Sequence, residues 1–172
     1  MNIKINTDSK LESEIAYFDN VNLKLESGDI IPSFKIAFKT FGKLNSDKTN
    51  AILICHALTG DQYVTENNPI TGREGWWSRM VGPNKPIDTN KFFVICSNVL
   101  GGCAGSTGPK EKQNENSDAY GGKFPSVTIK DMVKAQSLLI ESLNIDKLFS
   151  VIGGSMGAMQ ALQWSIDFPD KI

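Results

Sequence analysis

Leu148 to Trp164 reads LFSVIGGSMGAMQALQW. An apolar run, LFSVI, leads into a segment where Met156, Met159, Leu162, Gln163 and Ile166 recur at helical spacing until Phe168-Pro169 ends the pattern. Between them stands Gly153-x-Ser155-x-Gly157, a serine with a glycine two residues away on either side. That spacing is the signature of a nucleophile elbow, a strained strand-to-helix turn that exposes a serine hydroxyl and needs small flanking residues for close packing. A helix opening after Ser155 would aim its positive end at the hydroxyl and leave the Met156 amide free for a developing oxyanion. The alternative is a glycine-rich turn holding a buried or capping serine.

A nucleophilic serine needs a partner to take its proton, and the chain holds one histidine, His56. It lies in Cys55-His56-Ala57-Leu58-Thr59-Gly60-Asp61, CHALTGD, directly after the apolar run AILI. In enzymes built on such elbows the loop after an earlier strand supplies the second oxyanion donor, and the triad runs serine, then acid, then histidine along the chain. His56 precedes Ser155, and no histidine follows it. Two readings of His56 compete: a general base in an unusual geometry, or a residue that shapes the oxyanion loop. The chain order favours the second and places the base outside this chain. Asp61 and Arg73 are each as suited to fixing a loop as to holding a ligand.

Further outward, Ala51–Cys55 and Phe92–Cys96 are short continuous apolar runs that, with Leu148–Ile152, suit strands covered on both faces, as in a parallel sheet. Thr128–Leu143 puts Ile129, Met132, Val133, Leu139, Ile140 and Leu143 on one helical face, with Thr128 and Asp131 spaced as a capping box. From Val21 to Phe41, alternation around Ser27-Gly28-Asp29 predicts a hairpin at the edge of the sheet. The connection from Leu100 to Phe124, rich in Gly, Asn, Ser, Pro and Lys, is long enough to be functional or disordered. Alternating strands and helices predict an open α/β sheet.

With 172 residues, 40% hydrophobic and 22% charged, and a net charge of −1, the composition is that of a globular chain that exerts no strong pull on nucleic acid. Small molecules are the expected partners. Cys55 and Cys96 sit in apolar runs, Cys103 makes the count odd, and no CxxC spacing occurs, so structural roles are expected for the first two. No signal-peptide core and no membrane-length apolar run is present, and a cytoplasmic location is expected.

The chain resembles the amino-terminal part of the homoserine O-acetyltransferase family, from about Tyr17 to Ile172. The resemblance is carried by CHALTGD, by GREGWWSRMVGPNKPIDTNKFFVICSNVLGGCAGSTGP from Gly72 to Pro109, by FPSVTIKDMVKAQ from Phe124 to Gln136, and by IGGSMGAMQALQW from Ile152 to Trp164. It implies an α/β-hydrolase fold, here incomplete, with residues 1–172 forming the N-terminal part of a single domain. It also implies transfer of acetyl from acetyl-CoA to the hydroxyl of L-homoserine in methionine biosynthesis, with no bound cofactor or metal, in a homodimer. Ser155 matches the family's nucleophile, and the Leu58 and Met156 amides match its oxyanion hole. Asn98–Cys103 and Gly105–Pro109 match a loop near the site, with no chemical step assigned to any side chain. Ala158 stands where relatives often carry glycine. The chief departure is length: the family continues through a helical lid, later strands, an aspartate and a histidine, so the chain is expected to be a fragment, inactive alone. Succinyl transfer to homoserine and acetylation of L-serine use the same machinery. A serine esterase and a non-catalytic α/β binding module are the readings from other classes.

Overall fold

The computed structural model describes residues 2–112 and 116–172. Its main sheet has six strands: β1 (Asn2–Asp8), β2 (Ser13–Asp19), β5 (Phe34–Phe41), β6 (Ala51–Cys55), β9 (Phe93–Ser97) and β10 (Ser150–Gly153). They lie in the order β1-β2-β5-β9-β6-β10. The first three are antiparallel neighbours and β9 runs antiparallel to β5, whereas β6 pairs in parallel with both β9 and β10. The result is a mixed α/β sheet whose parallel part contains the three apolar runs of the sequence.

The β6 and β9 runs are continuous because both sheet faces are covered there, while β10, at the sheet edge, is half-buried. All five residues of β6 are buried, and side chains alternate between faces along a strand. Leu53 and Cys55 join Phe38, Ile95, Val133 and Leu139 on the face that carries the helices. Ile52 and Ile54 join Val64, Val81, Ile87 and Val94 on the other, where the segment after β6 folds back. That segment includes a small ribbon, β7 (Val81–Gly82) with β8 (Ile87–Asp88).

Helix α1 (Ile129–Ser142) begins at the expected capping box: Thr128 accepts from the Asp131 amide, and the Asp131 carboxylate accepts from the Thr128 amide. The other carboxylate oxygen of Asp131 accepts from the Glu26 amide at 2.9 Å, tying the helix start to the N-terminal part of the chain. Helix α2 (Met156–Asp167) follows β10 directly.

Two expectations, the extent of the N-terminal hairpin and its place at the sheet edge, need correction. The hairpin from Val21 to Phe41 is only a two-residue ribbon, β3 (Leu23–Lys24) against β4 (Ile30–Ile31). Pro32 then follows, where no N–H is available to extend a ladder, and β5 leaves to pair with β2 and β9 inside the main sheet rather than at its edge. The edges are β10 and β1, and β1 forms with β2 a hairpin that the sequence reading left out. In α2 the apolar residues at helical spacing point outward, with Met159, Leu162 and Ile166 at least 58% exposed, while Gly157, Gln160 and Trp164 pack down. Of the long connection from Leu100 to Phe124, residues 113–115 lie outside the described residues; the rest forms turns and a short 3-10 segment at Gly121–Lys123.

Candidate active site

Ser155 holds φ 56° and ψ −127°, a backbone that a non-glycine residue keeps only when its surroundings impose it. The surroundings are two backbone contacts. A Cβ on Gly153 would stand 2.4 Å from the Gly157 carbonyl oxygen, and one on Gly157 would stand 2.0 Å from the Cys55 carbonyl oxygen. The first turn of α2 therefore rests directly on the ends of β10 and β6, and the chain must turn sharply at Ser155 to get there. Ser155 is exposed, and its side chain caps no amide of α2.

Leu58 and Met156 both line a cavity of about 370 Å³, together with His56, Leu100, Gly102 and Phe124. Among the described residues neither the Leu58 amide nor the Met156 amide donates a hydrogen bond. The reason is local in each case. Met156 opens α2, where first-turn amides have no intrahelical acceptor. Leu58 occupies the first corner of a turn closed by the Gly60 amide on the Ala57 carbonyl at 2.8 Å, a position whose N–H the turn does not use. Two free donors thus line one cavity, and one of them, Met156, is the residue next to the exposed serine in the chain. Paired donors of this kind stabilise charge developing on a carbonyl oxygen.

His56 is buried, and both ring nitrogens are engaged. Nδ1 lies 2.7 Å from its neighbour's carbonyl, Ala57 O, and Nε2 accepts from the Val99 amide at 3.2 Å. This pattern fits a neutral ring with its proton on Nδ1. Burial lowers its pKa, outweighing the Ala57 carbonyl and the Asp61 charge, which raise it. His56 therefore bolts the loop after β6 to the loop after β9.

The Asn98–Pro109 loop is built the same way. Asn98 Oδ1 accepts from the Ala104 amide, Ser106 donates to the Asn98 carbonyl, and Ser106 and Thr107 accept from the Ala37 and Lys35 amides of β5. A Cβ on Gly102 would meet Asn98 Oδ1 at 2.6 Å. These side chains shape the cavity wall. Asp61 accepts from the Tyr63 amide and the Asn68 carboxamide, at 2.9 and 2.8 Å, which makes it a loop-fixing group in this structure. Arg73 is exposed, and among the described residues its guanidinium has no ion-pair partner.

Beneath the elbow lies a group of residues that sequence reasoning did not single out. Gln136 of α1 and Gln160 and Trp164 of α2 are all buried and joined by hydrogen bonds. Gln136, Gln160 and Trp164 each stand only inside the longer motifs FPSVTIKDMVKAQ and IGGSMGAMQALQW. The i, i+4 placement of Gln160 and Trp164 in α2, on the face opposite the apolar residues, was the available signal. Cys55, below the same elbow, is fully buried, and burial pushes its thiol up to about 12. Among the described residues no cluster of three or more His, Cys, Asp or Glu side chains could hold a metal.

The sequence profile of the alpha/beta hydrolase fold family matches residues 50–172. A homoserine O-acetyltransferase from Caulobacter vibrioides (strain NA1000 / CB15N) is 53% identical over 153 residues, 89% of this chain and 40% of that protein. Among solved structures, the homoserine O-acetyltransferase from Bacillus anthracis superposes with a TM-score of 0.83 at 32% identity, covering 93% of this chain and 44% of that one. Esterase E22 superposes with a TM-score of 0.82 at 36% identity, covering 93% of this chain and 45% of that one. The chain spans about two-fifths of the length of the curated relatives it matches.

Proposed function

This chain belongs to the alpha/beta hydrolase fold family, and from that premise we propose that the whole protein is a homoserine O-acetyltransferase working through an acyl-Ser155 intermediate. The observation that carries the reading is a strained, exposed Ser155 followed directly by the free Met156 amide, which shares a cavity with the free Leu58 amide, in a chain 53% identical to an enzyme of that name.

Ser155 Oγ attacks the thioester carbon of acetyl-CoA and gives its proton to a general base. The Leu58 and Met156 amides hold the oxyanion of the tetrahedral intermediate. Collapse breaks the carbon–sulfur bond, the CoA sulfur takes the proton, and an acetyl ester remains on Ser155. The homoserine hydroxyl then attacks that ester, loses its proton to the same base, and leaves as the O-acetyl product while Ser155 regains its hydrogen. Neither step calls on a metal or a bound prosthetic group.

The base is assigned to a histidine in the part of the protein following Ile172, oriented by an aspartate there. What supports this is the state of His56: its Nε2 is committed to the Val99 amide and its Nδ1 to the Ala57 carbonyl, so no lone pair is left for the Ser155 proton. On this reading residues 1–172 are the N-terminal part of one domain, completed by a lid and further strands. The whole protein is read as a cytoplasmic homodimer acting on small molecules, neither nucleic acid nor membrane being a partner; no helix among the described residues is long and apolar enough to cross a membrane.

A plain esterase is the second reading, favoured by the likeness to esterase E22. The two are separated by incubating the whole protein with acetyl-CoA and following thiol release with and without L-homoserine, with product identified by mass. The acetyltransferase reading requires thiol release that depends on homoserine and yields O-acetylhomoserine. Release to water alone makes the protein a hydrolase. A preference for succinyl-CoA or for L-serine moves it to one of those specificities.

A further inference from the structure

The buried hydrogen bonds under the elbow form a directed chain. Trp164 Nε1 donates to Gln136 Oε1 at 2.9 Å, Gln136 Nε2 donates to Gln160 Oε1 at 2.7 Å, and Gln160 Nε2 reaches the His56 and Met156 carbonyls, each at 3.3 Å. All three side chains are at most 1% exposed. An indole N–H can only donate, whereas a carboxamide can be turned either way. The indole therefore fixes the orientation of the first amide, which fixes that of the second. The chain ends with the two hydrogens of one –NH₂ group placed on two carbonyls.

Those two carbonyls belong to the two segments that present the free amides. His56 directly precedes the Ala57–Gly60 turn that carries Leu58, and Met156 carries the other donor. On the proposed acyl-transfer reading, we infer that Gln160 is a positioning residue for the oxyanion hole: it ties the loop after β6 to the first turn of α2 so that both amides converge on one oxygen. Trp164 and Gln136 act through it by holding its amide in the donating sense. Gln160 itself touches no reacting atom. Its packing alone would be supplied equally by a methionine. The donor pair would not.

The test uses the whole protein with acetyl-CoA, and with p-nitrophenyl acetate as a donor independent of CoA. Gln160→Met keeps the volume and removes the donors; it should lower the Ser155 acylation rate about 30-fold or more, while KM for the donor changes little. Gln160→Glu keeps the shape, and donates only while its carboxyl is protonated. Its rate relative to wild type should climb as pH falls. Cys55 and His56 are the titratable side chains on this network, and both are present in wild type, so the ratio cancels their titration. Trp164→Phe frees the chain to reverse and should give an intermediate loss.

Acylation by Gln160→Met at the wild-type rate overturns the assignment. So does a Gln160→Glu ratio that is flat with pH, which would leave only packing. If Gln160→Met does not fold, Gln160→Glu across pH decides alone. The backbone amide resonances of Leu58 and Met156 report the coupling without chemistry. If they move together in Gln160→Glu as its carboxyl titrates, the coupling stands even in a protein that neither donor acylates, and it is then the acyl-transfer reading that fails. If neither amide moves, the coupling itself is refuted.

Discussion

Replacing Gly157 with alanine sets two effects of opposite sign against each other. Gly157 lies in the first turn of α2, and alanine in place of glycine favours a helix interior by about 1 kcal/mol. The new methyl would stand 2.0 Å from the Cys55 carbonyl oxygen, 2.8 Å from its carbon and 3.1 Å from the His56 carbonyl oxygen, where ordinary contact begins at 3.4 Å. None of these is a flexible side-chain tip. Cys55 is the last residue of the buried central strand β6, so relief must come from lifting α2 off the sheet. Overpacking a core costs about 1–3 kcal/mol, more when nothing can rotate aside. The steric term wins, and a net loss of roughly 2 kcal/mol is expected in a urea titration. The lift also carries Met156 away from Leu58, so acylation of Ser155 should fall by about the 10²-fold that removal of one oxyanion donor costs. Gly154→Ala is the control, because its Cβ meets nothing within 4 Å and the change should stay within about 0.5 kcal/mol. A Gly157→Ala protein with the wild-type urea midpoint and acylation rate would refute the claim that this contact sets the elbow.

Two further perturbations probe the same region. Ser155→Gly should end acyl transfer yet raise stability by about 1 kcal/mol, because glycine takes the φ of 56° without strain; calorimetry showing a lower melting temperature would contradict the strain. For His56 the sign follows from its lowered pKa: the unfolded ring takes a proton near pH 6.5 while the folded ring resists, so stability drops as pH falls below that value, by at most about 1.4 kcal/mol per pH unit. His56→Gln, whose amide oxygen can still accept from Val99, should flatten that part of the wild-type pH–stability curve, and parallel curves from pH 7 to 5 would show that the ring is not buried as described.

The parallel strands and both helices were legible because each reports its environment within a few residues. Leu53 and Ile54 sit in an unbroken apolar run because they serve opposite covered faces, and the Thr128–Asp131 box marks the start of α1 by local hydrogen bonding alone. The strand partners were not legible in the same way. Alternation in Phe34–Phe41 tells which side chains share a face, but the choice of Ser13–Asp19 over Val21–Ser27 as neighbour is a long-range one. Ser155 and Met156 could be pointed to together because one short strand-turn-helix motif holds both, whereas Leu58, in a separate loop far earlier in the chain, came only from the family resemblance. Gln136, Gln160 and Trp164 could not: what makes two glutamines part of a core is the satisfaction of every donor and acceptor across two helices, and that has no sequence period. The inward face of α2 is hidden from the sequence for the same reason, since Gly157 and Gln160 are buried by contact and hydrogen bonding rather than by hydrophobicity.

The distribution of the three thiols gives the molecule a ready-made attachment point. Cys55 and Cys96 are sealed inside the sheet, with burial holding both thiols well above the range in which a thiolate forms at neutral pH, and the thiolate is the species that alkylating reagents capture. Cys103 is exposed, and it lines the same cavity as Leu58 and Met156. Within this chain a maleimide dye or nitroxide would attach at one place, on the wall shared with Leu58 and Met156, without any engineered residue, and its signal would report directly on what enters that cavity.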